Sequence, residues 1–126
     1  MKRRGGSEGQ ATVEMAIVLP LLLWLLVGMV DIARMANAIL TVNHAAREAV
    51  RAGITGGTDA EIEARARGSM PALEPERVTV VISPAGARQT GADVSVVVTY
   101  RYRFLALFGV AGSEVPLNGQ LTGRVE

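Results

Sequence analysis

The first pattern in the chain is an absence of charge: Met15 to Val30 reads MAIVLPLLLWLLVGMV without one ionisable side chain. At about 1.5 Å per residue these positions make roughly 24 Å of helix, short of a hydrocarbon core of about 30 Å. Extending the helix upstream to Ala11 closes the gap and draws in Glu14. Pro20 removes one backbone hydrogen bond to Ala16, which a membrane helix tolerates by local adjustment. Past Asp31 the polarity changes but the helical period persists. Ile32, Met35, Ile39, Val42, Ala46 and Val50 fall on one stripe, with Arg34, Arg47, Glu48 and Arg51 away from it. Gly53 and Gly56-Gly57 supply a stop. One helix from about Ala11 to Ala52 is predicted, half membrane-buried and half amphipathic.

After the stop, Thr58-Asp59-Ala60-Glu61 is a capping-box pattern opening a second, short helix. Glu61 with Arg65 and Glu63 with Arg67 are spaced as i,i+4 pairs. Alternation then takes over. Arg77–Ser83 puts Val78, Val80 and Ile82 on one side. Asp93–Phe104 puts Val94, Val96, Val98, Tyr100, Tyr102 and Phe104 on one side. Glu114–Glu126 does the same with Val115, Leu117, Leu121 and Val125. PAGARQTGA between the first two strands has turn chemistry. LALFGVAG (105–112) between the last two is unusually apolar, and core packing, a dip toward the membrane or a partner contact would each account for it. The expected fold is α+β: a long N-terminal helix, a short second helix, and a three-stranded antiparallel sheet. The sheet packs on the outer half of the long helix, beneath the Ile32–Val50 stripe.

Composition narrows the function. The chain has 126 residues, 49% apolar, with formal charge +1 and no Cys. Lys2, Arg3 and Arg4 flank the apolar run, so the N-terminus is expected in the cytoplasm and the remainder across the membrane. From Asp31 onward ten Arg balance ten Asp and Glu, which leaves no electrostatic basis for nucleic-acid binding. No thiolate metal site or disulfide is available. His44 stands alone, and the glycines fit no phosphate-loop spacing. Neither catalysis nor a metal, cofactor or small-molecule substrate is expected.

Glu14 is where placement and chemistry disagree, because a carboxylate entering lipid is costly. The plain reading puts it at headgroup level, favoured by the helix N-terminus. A sharper one notes Gly9 five positions upstream. Cleavage there would leave a new amine on Gln10, which the Glu14 of a neighbouring copy could neutralise in a stack of helices.

The stretch GQATVEMAIVLPLLLWLLVGMVDIAR resembles the opening of the TadE-like family, pseudopilins of tight-adherence (type IVb) pili. Pro20, the Asp31/Arg34 exit, NHAAREAVRAG (Asn43 to Gly53) and the closing LTGRVE agree with it. The resemblance implies a pilin-like, non-enzymatic subunit that helps assemble a Flp-type adhesive pilus. A prepilin peptidase would remove residues 1–9 as a basic leader, making Gly9 its last residue, Gln10 the first mature one and Glu14 the fifth-position glutamate. Residues 10–30 would then span the bacterial inner membrane. Residues 31–126 would form the extracytoplasmic domain: helix continuation 31–54, short helix 58–70, sheet 77–126. Other pilins and the inner-membrane pilus platform would be its partners. Met15 stands where family members usually carry an aromatic. Two rival readings share the sequence: a secreted protein cut at Ala36-Asn37-Ala38 as an A-x-A signal site, and a bitopic scaffold that never leaves the bilayer.

Overall fold

A computed structural model of the chain describes residues 5–105 and 112–126. The basic residues Lys2, Arg3 and Arg4 and most of the LALFGVAG loop lie outside them. Helix α1 runs Gly5–Ile54, helix α2 Asp59–Gly68, and strands β1 Val78–Ser83, β2 Asp93–Arg103 and β3 Glu114–Arg124 follow, with a 3-10 turn at Pro75–Arg77 leading into β1. The architecture is the expected α+β, pilin-like one.

Helix α1 is longer than the expected Ala11–Ala52 at both ends. Nucleation is the expensive step of helix formation, so a strongly helical centre extends cheaply into the Gly-rich residues before it. The helix continues through Pro20. Its C-terminus is closed by a Schellman arrangement: Gly56 takes φ +80, its N–H donates to Gly53 O at 3.2 Å, and the Gly57 N–H donates to Ala52 O at 3.0 Å. A left-handed residue at this point costs glycine nothing. Helix α2 opens on the capping box that its sequence announces. The Glu61 N–H donates to Thr58 Oγ1, and the Thr58 N–H donates to Glu61 Oε2 at 2.7 Å. Glu61 is thereby committed to the cap. Of the two anticipated helix pairs, Glu63–Arg67 forms, at 2.9 Å.

The sheet is an antiparallel meander in the order β1-β2-β3. Tyr100 sits opposite both Val78 on β1 and Leu117 on β2's other neighbour, β3. Helix α1 lies across β2 and β3, while α2 packs on α1 and reaches β1. The inner face of β2 alternates as expected, with Val94, Val96 and Val98 fully buried and Tyr100 and Tyr102 nearly so.

The helix face that covers the sheet is the predicted one in part. Val42, Ala46 and Val50 are buried and Met35 packs against the core, but Ile32 and Ile39 are exposed. Besides Met35, Val42, Ala46 and Val50, the buried face takes in Asp31, Ala38, Ala45, Ala49 and Gly53, which with Met35 and Val42 are also spaced by three and four. Small side chains win this face because the backbones come close. A Cβ on Gly119 of β3 would lie 2.9 Å from Val42 O, and one on Gly123 would lie 2.6 Å from Ile54 Cδ1. Glycine at these two positions lets Val42, Val50 and Ile54 of the helix pack directly on β3, where a larger side chain on the strand would hold the two elements apart.

The helix exit as a candidate functional site

The buried stripe begins with a charged residue. Asp31 follows directly on the apolar run and has no solvent exposure. Such a carboxylate needs hydrogen-bond partners to offset the loss of water. The Leu105 N–H donates to both of its oxygens, at 3.2 and 3.1 Å. The Tyr102 hydroxyl reaches the Asp31 backbone carbonyl at 3.1 Å and Oδ1 at 3.4 Å. Arg34, one turn further on and half exposed, places Nη1 3.8 Å from Oδ1. Tyr102 is braced by an edge-to-face contact with Phe104, 5.3 Å between ring centroids.

The end of β2 is thus clamped onto the helix where the apolar run stops. Burial raises the Tyr102 phenol above its ordinary range; Arg34 pulls the other way and Asp31 adds to the rise. The sequence singles out Asp31 only as a polar exit. Its burial follows from β2, seventy-one residues further on, bringing Tyr102 to that level. The signal available in the sequence is that Asp31 shares the three-four spacing of the alanines that meet the sheet.

The expected processing and assembly residues occupy the other end of α1. Gly9, Gln10 and Glu14 are all exposed, and nothing lies within 4 Å of where a Gly9 Cβ would be. Glu14 makes no ion pair among the described residues. It stands about 26 Å along the helix axis from Asp31 at 1.5 Å per residue, so two carboxylates bracket the apolar run. Between them the large side chains point outward and are exposed, Leu22, Leu25 and Met29 with more than half of their surface uncovered. The helix is long and apolar enough to cross a membrane.

A second polar cluster joins the α1–α2 turn to the β1–β2 loop. Asp59 accepts from the Gly86 N–H at 2.7 Å and from Arg88, whose Nη1 also donates to Gly57 O at 3.2 Å. The Arg88 side chain is almost wholly buried. His44 is exposed and lines an open groove between α1 and α2 with Glu48 and Arg65. Among the described residues no three His, Asp or Glu converge in a way that would hold a metal.

Comparison with known proteins agrees with this picture of the helix. Residues 9–51 match the family model described as TadE-like protein. No curated protein and no solved structure matches the chain. The matched segment takes in Gly9, Glu14, the apolar run, Asp31 and most of the sheet-packed face, and over those residues the chain is similar to the TadE-like family.

Proposed function

We propose that the protein is a non-enzymatic pseudopilin or minor pilin. It is anchored in the bacterial inner membrane by residues 10–30, and it takes part in assembling a tight-adherence pilus. Its domain from residue 31 onward lies outside the cytoplasm. A prepilin peptidase removes residues 1–9. Partners are other pilins and the assembly platform in the membrane.

The observation that carries this reading is that α1 is one helix with two uses. Its outer half is built into the sheet domain, and its inner half leaves every large apolar side chain uncovered. Ile32, Ile39 and Leu40 continue that uncovered surface past the membrane level, on the side turned away from the sheet. A helix that must lie first in lipid and then against other helices in a stack needs such a surface. The same continuity weighs against a signal peptide. Ala38 is buried in the core, and a cut beside it would strip Asp31 from Tyr102 and Leu105.

The test is the mature N-terminus, read by mass spectrometry of protein from the membrane. Gln10 is expected, and Gly9→Val should abolish the cut by crowding a backbone that glycine leaves open. Met1 in the wild type would leave the bitopic scaffold, and Asn37 or Ile39 the secreted protein. Glu14→Gln separates roles further. It should leave insertion and cleavage intact while lowering recovery of partner pilins by two or more decades, since losing one member of a buried pair costs about 3–5 kcal/mol. Unchanged piliation in that strain would make Glu14 an interfacial residue only.

A further inference from the structure

Beside the Asp31 clamp the surface opens into a cavity of about 310 Å³. Arg34, Arg77 and Arg103 line it, with Glu74 the one acid in the lining. Glu74 is engaged by Arg77 at 2.6 Å. Arg34 is half exposed and holds Asp31 only loosely, and Arg103 is exposed with no ion pair among the described residues. Two guanidinium groups therefore remain to receive an anion. Leu105 borders the same cavity, 55% exposed, while its N–H is tied to Asp31. An exposed leucine and a set of arginines thus stand at the level where the apolar run of α1 ends.

We propose that Arg34, Arg103 and Leu105 form a docking surface for the phospholipids of the leaflet from which α1 emerges. The arginines take headgroup phosphates and Leu105 enters the acyl boundary. This rests on the reading of residues 10–30 as a membrane span. Continuity argues for lipid as the occupant: no linker separates Val30 from the buried Asp31, so the domain cannot stand away from the bilayer. Chemistry argues the same way, because the planar fork of arginine pairs with phosphate oxygens in bidentate fashion. A dissolved phosphate would use the arginines and leave Leu105 in water. Lipid uses both. The consequence is a domain held flush on the membrane, with α1 fixed in tilt and rotation before any assembly step.

The chain lacks cysteine, so single spin labels can be placed without a background. Leu22→Cys, Leu105→Cys and Gln89→Cys mark the mid-span, the proposed surface and the opposite end of the sheet in the full chain. Each is reconstituted in phosphatidylcholine nanodiscs with and without phosphatidylglycerol. Collision with oxygen and with a water-soluble nickel chelate then gives depth. The label at 22 should be deep, that at 105 shallow but within lipid, and that at 89 in water. Arg34→Gln with Arg103→Gln should raise nickel access at 105 several-fold and leave 22 unmoved, with the β signal in circular dichroism showing that the sheet persists. A label at 105 as open to nickel as at 89, while 22 stays deep, overturns the docking surface and leaves the span standing. A water-exposed label at 22 overturns both. No change at 105 in the double arginine variant overturns the arginine role.

Discussion

Asp31 fixes two elements with one side chain, so its replacement separates hydrogen bonding from charge. Asp31→Ala leaves the Leu105 N–H without its acceptor, at a cost of about 1–3 kcal/mol. Asp31→Asn keeps one acceptor oxygen and should cost less. Tyr102→Phe removes only the hydroxyl, worth about 0.5–1.5 kcal/mol. Denaturant melts of the full chain in detergent would rank the three, and Asp31→Ala with Tyr102→Phe should cost less than their sum because they share a contact. Ionisation adds a pH signature at both extremes. Backbone hydrogen bonds lower two carboxyls: Asp59 from the Gly86 N–H, then Arg88, and Glu61 from the Thr58 N–H, then its hydroxyl. A group lowered in the folded state stabilises above its unfolded pKa, and that contribution fades as pH falls through the folded value. Acid should therefore loosen the α2 cap and the Asp59–Arg88 tie, and Asp59→Asn with Glu61→Gln should flatten the acid limb of a stability–pH curve. Tyr102 is raised, so its contribution is complete below the ordinary tyrosine range. It is lost as pH rises through the folded value, and Tyr102→Phe should remove that alkaline limb. An unchanged alkaline limb in that variant would show that Tyr102 is not buried as described.

At the scale of elements, the seam between α1 and β3 sets the tolerance for substitution. Gly119→Ala pushes a methyl into the Val42 carbonyl, a backbone atom that cannot rotate away. It should cost about 1–3 kcal/mol as an overpacking change. Gly123→Ala meets the side-chain ends of Ile54 and Val50 and should cost less. Ala49→Leu, at a position with no exposure, should destabilise at least as much as Gly119→Ala. Ile39→Ala should change the melting temperature little and, on the proposed function, weaken recovery of partner pilins, because Ile39 faces away from the sheet. Thermal melts followed by circular dichroism, alongside co-purification, check all four. If Ile39→Ala proved as damaging to the melt as Ala49→Leu, the helix would be rotated from the face described here.

For the whole molecule, the helix and the sheet share one buried core and should unfold together. A fragment starting at Gly28 keeps Asp31, the alanine seam, Val42 and Val50, and should melt cooperatively. One starting at Ile32 keeps the seam but loses the Asp31 clamp, so it should melt at lower temperature with the end of β2 frayed. One starting at Thr58 uncovers the whole inner face. Burying Val42 and Val50 alone is worth about 1.5–3 kcal/mol each, a large share of a small domain's stability of about 5–15 kcal/mol, so this fragment should aggregate. A monomeric, cooperatively melting Thr58 fragment would mean that the sheet needs no helix to cover it.

The elements themselves were written in local chemistry. Sixteen uncharged residues, a Thr58–Glu61 capping box, Gly56 after a helix and period-two runs of valine each act within a few positions, so the sequence alone determined α1, α2 and the three strands nearly to their ends. The apolar run was legible for the same reason. Which face of α1 meets the sheet was legible only in part: Met35, Val42, Ala46 and Val50 lie on it, Ile32 and Ile39 do not. Hydrophobic weight along the helix favours Ile32 and Ile39, whereas the contact is decided by how closely two backbones can approach. That depends on Gly119 and Gly123 lying opposite Val42 and Val50, a pairing between residues some seventy positions apart in the chain. The fate of Asp31 was equally hidden. A carboxylate after an apolar run reads as an exit to water, and only the arrival of Tyr102 and Leu105 from the far end of β2 makes it a buried clamp.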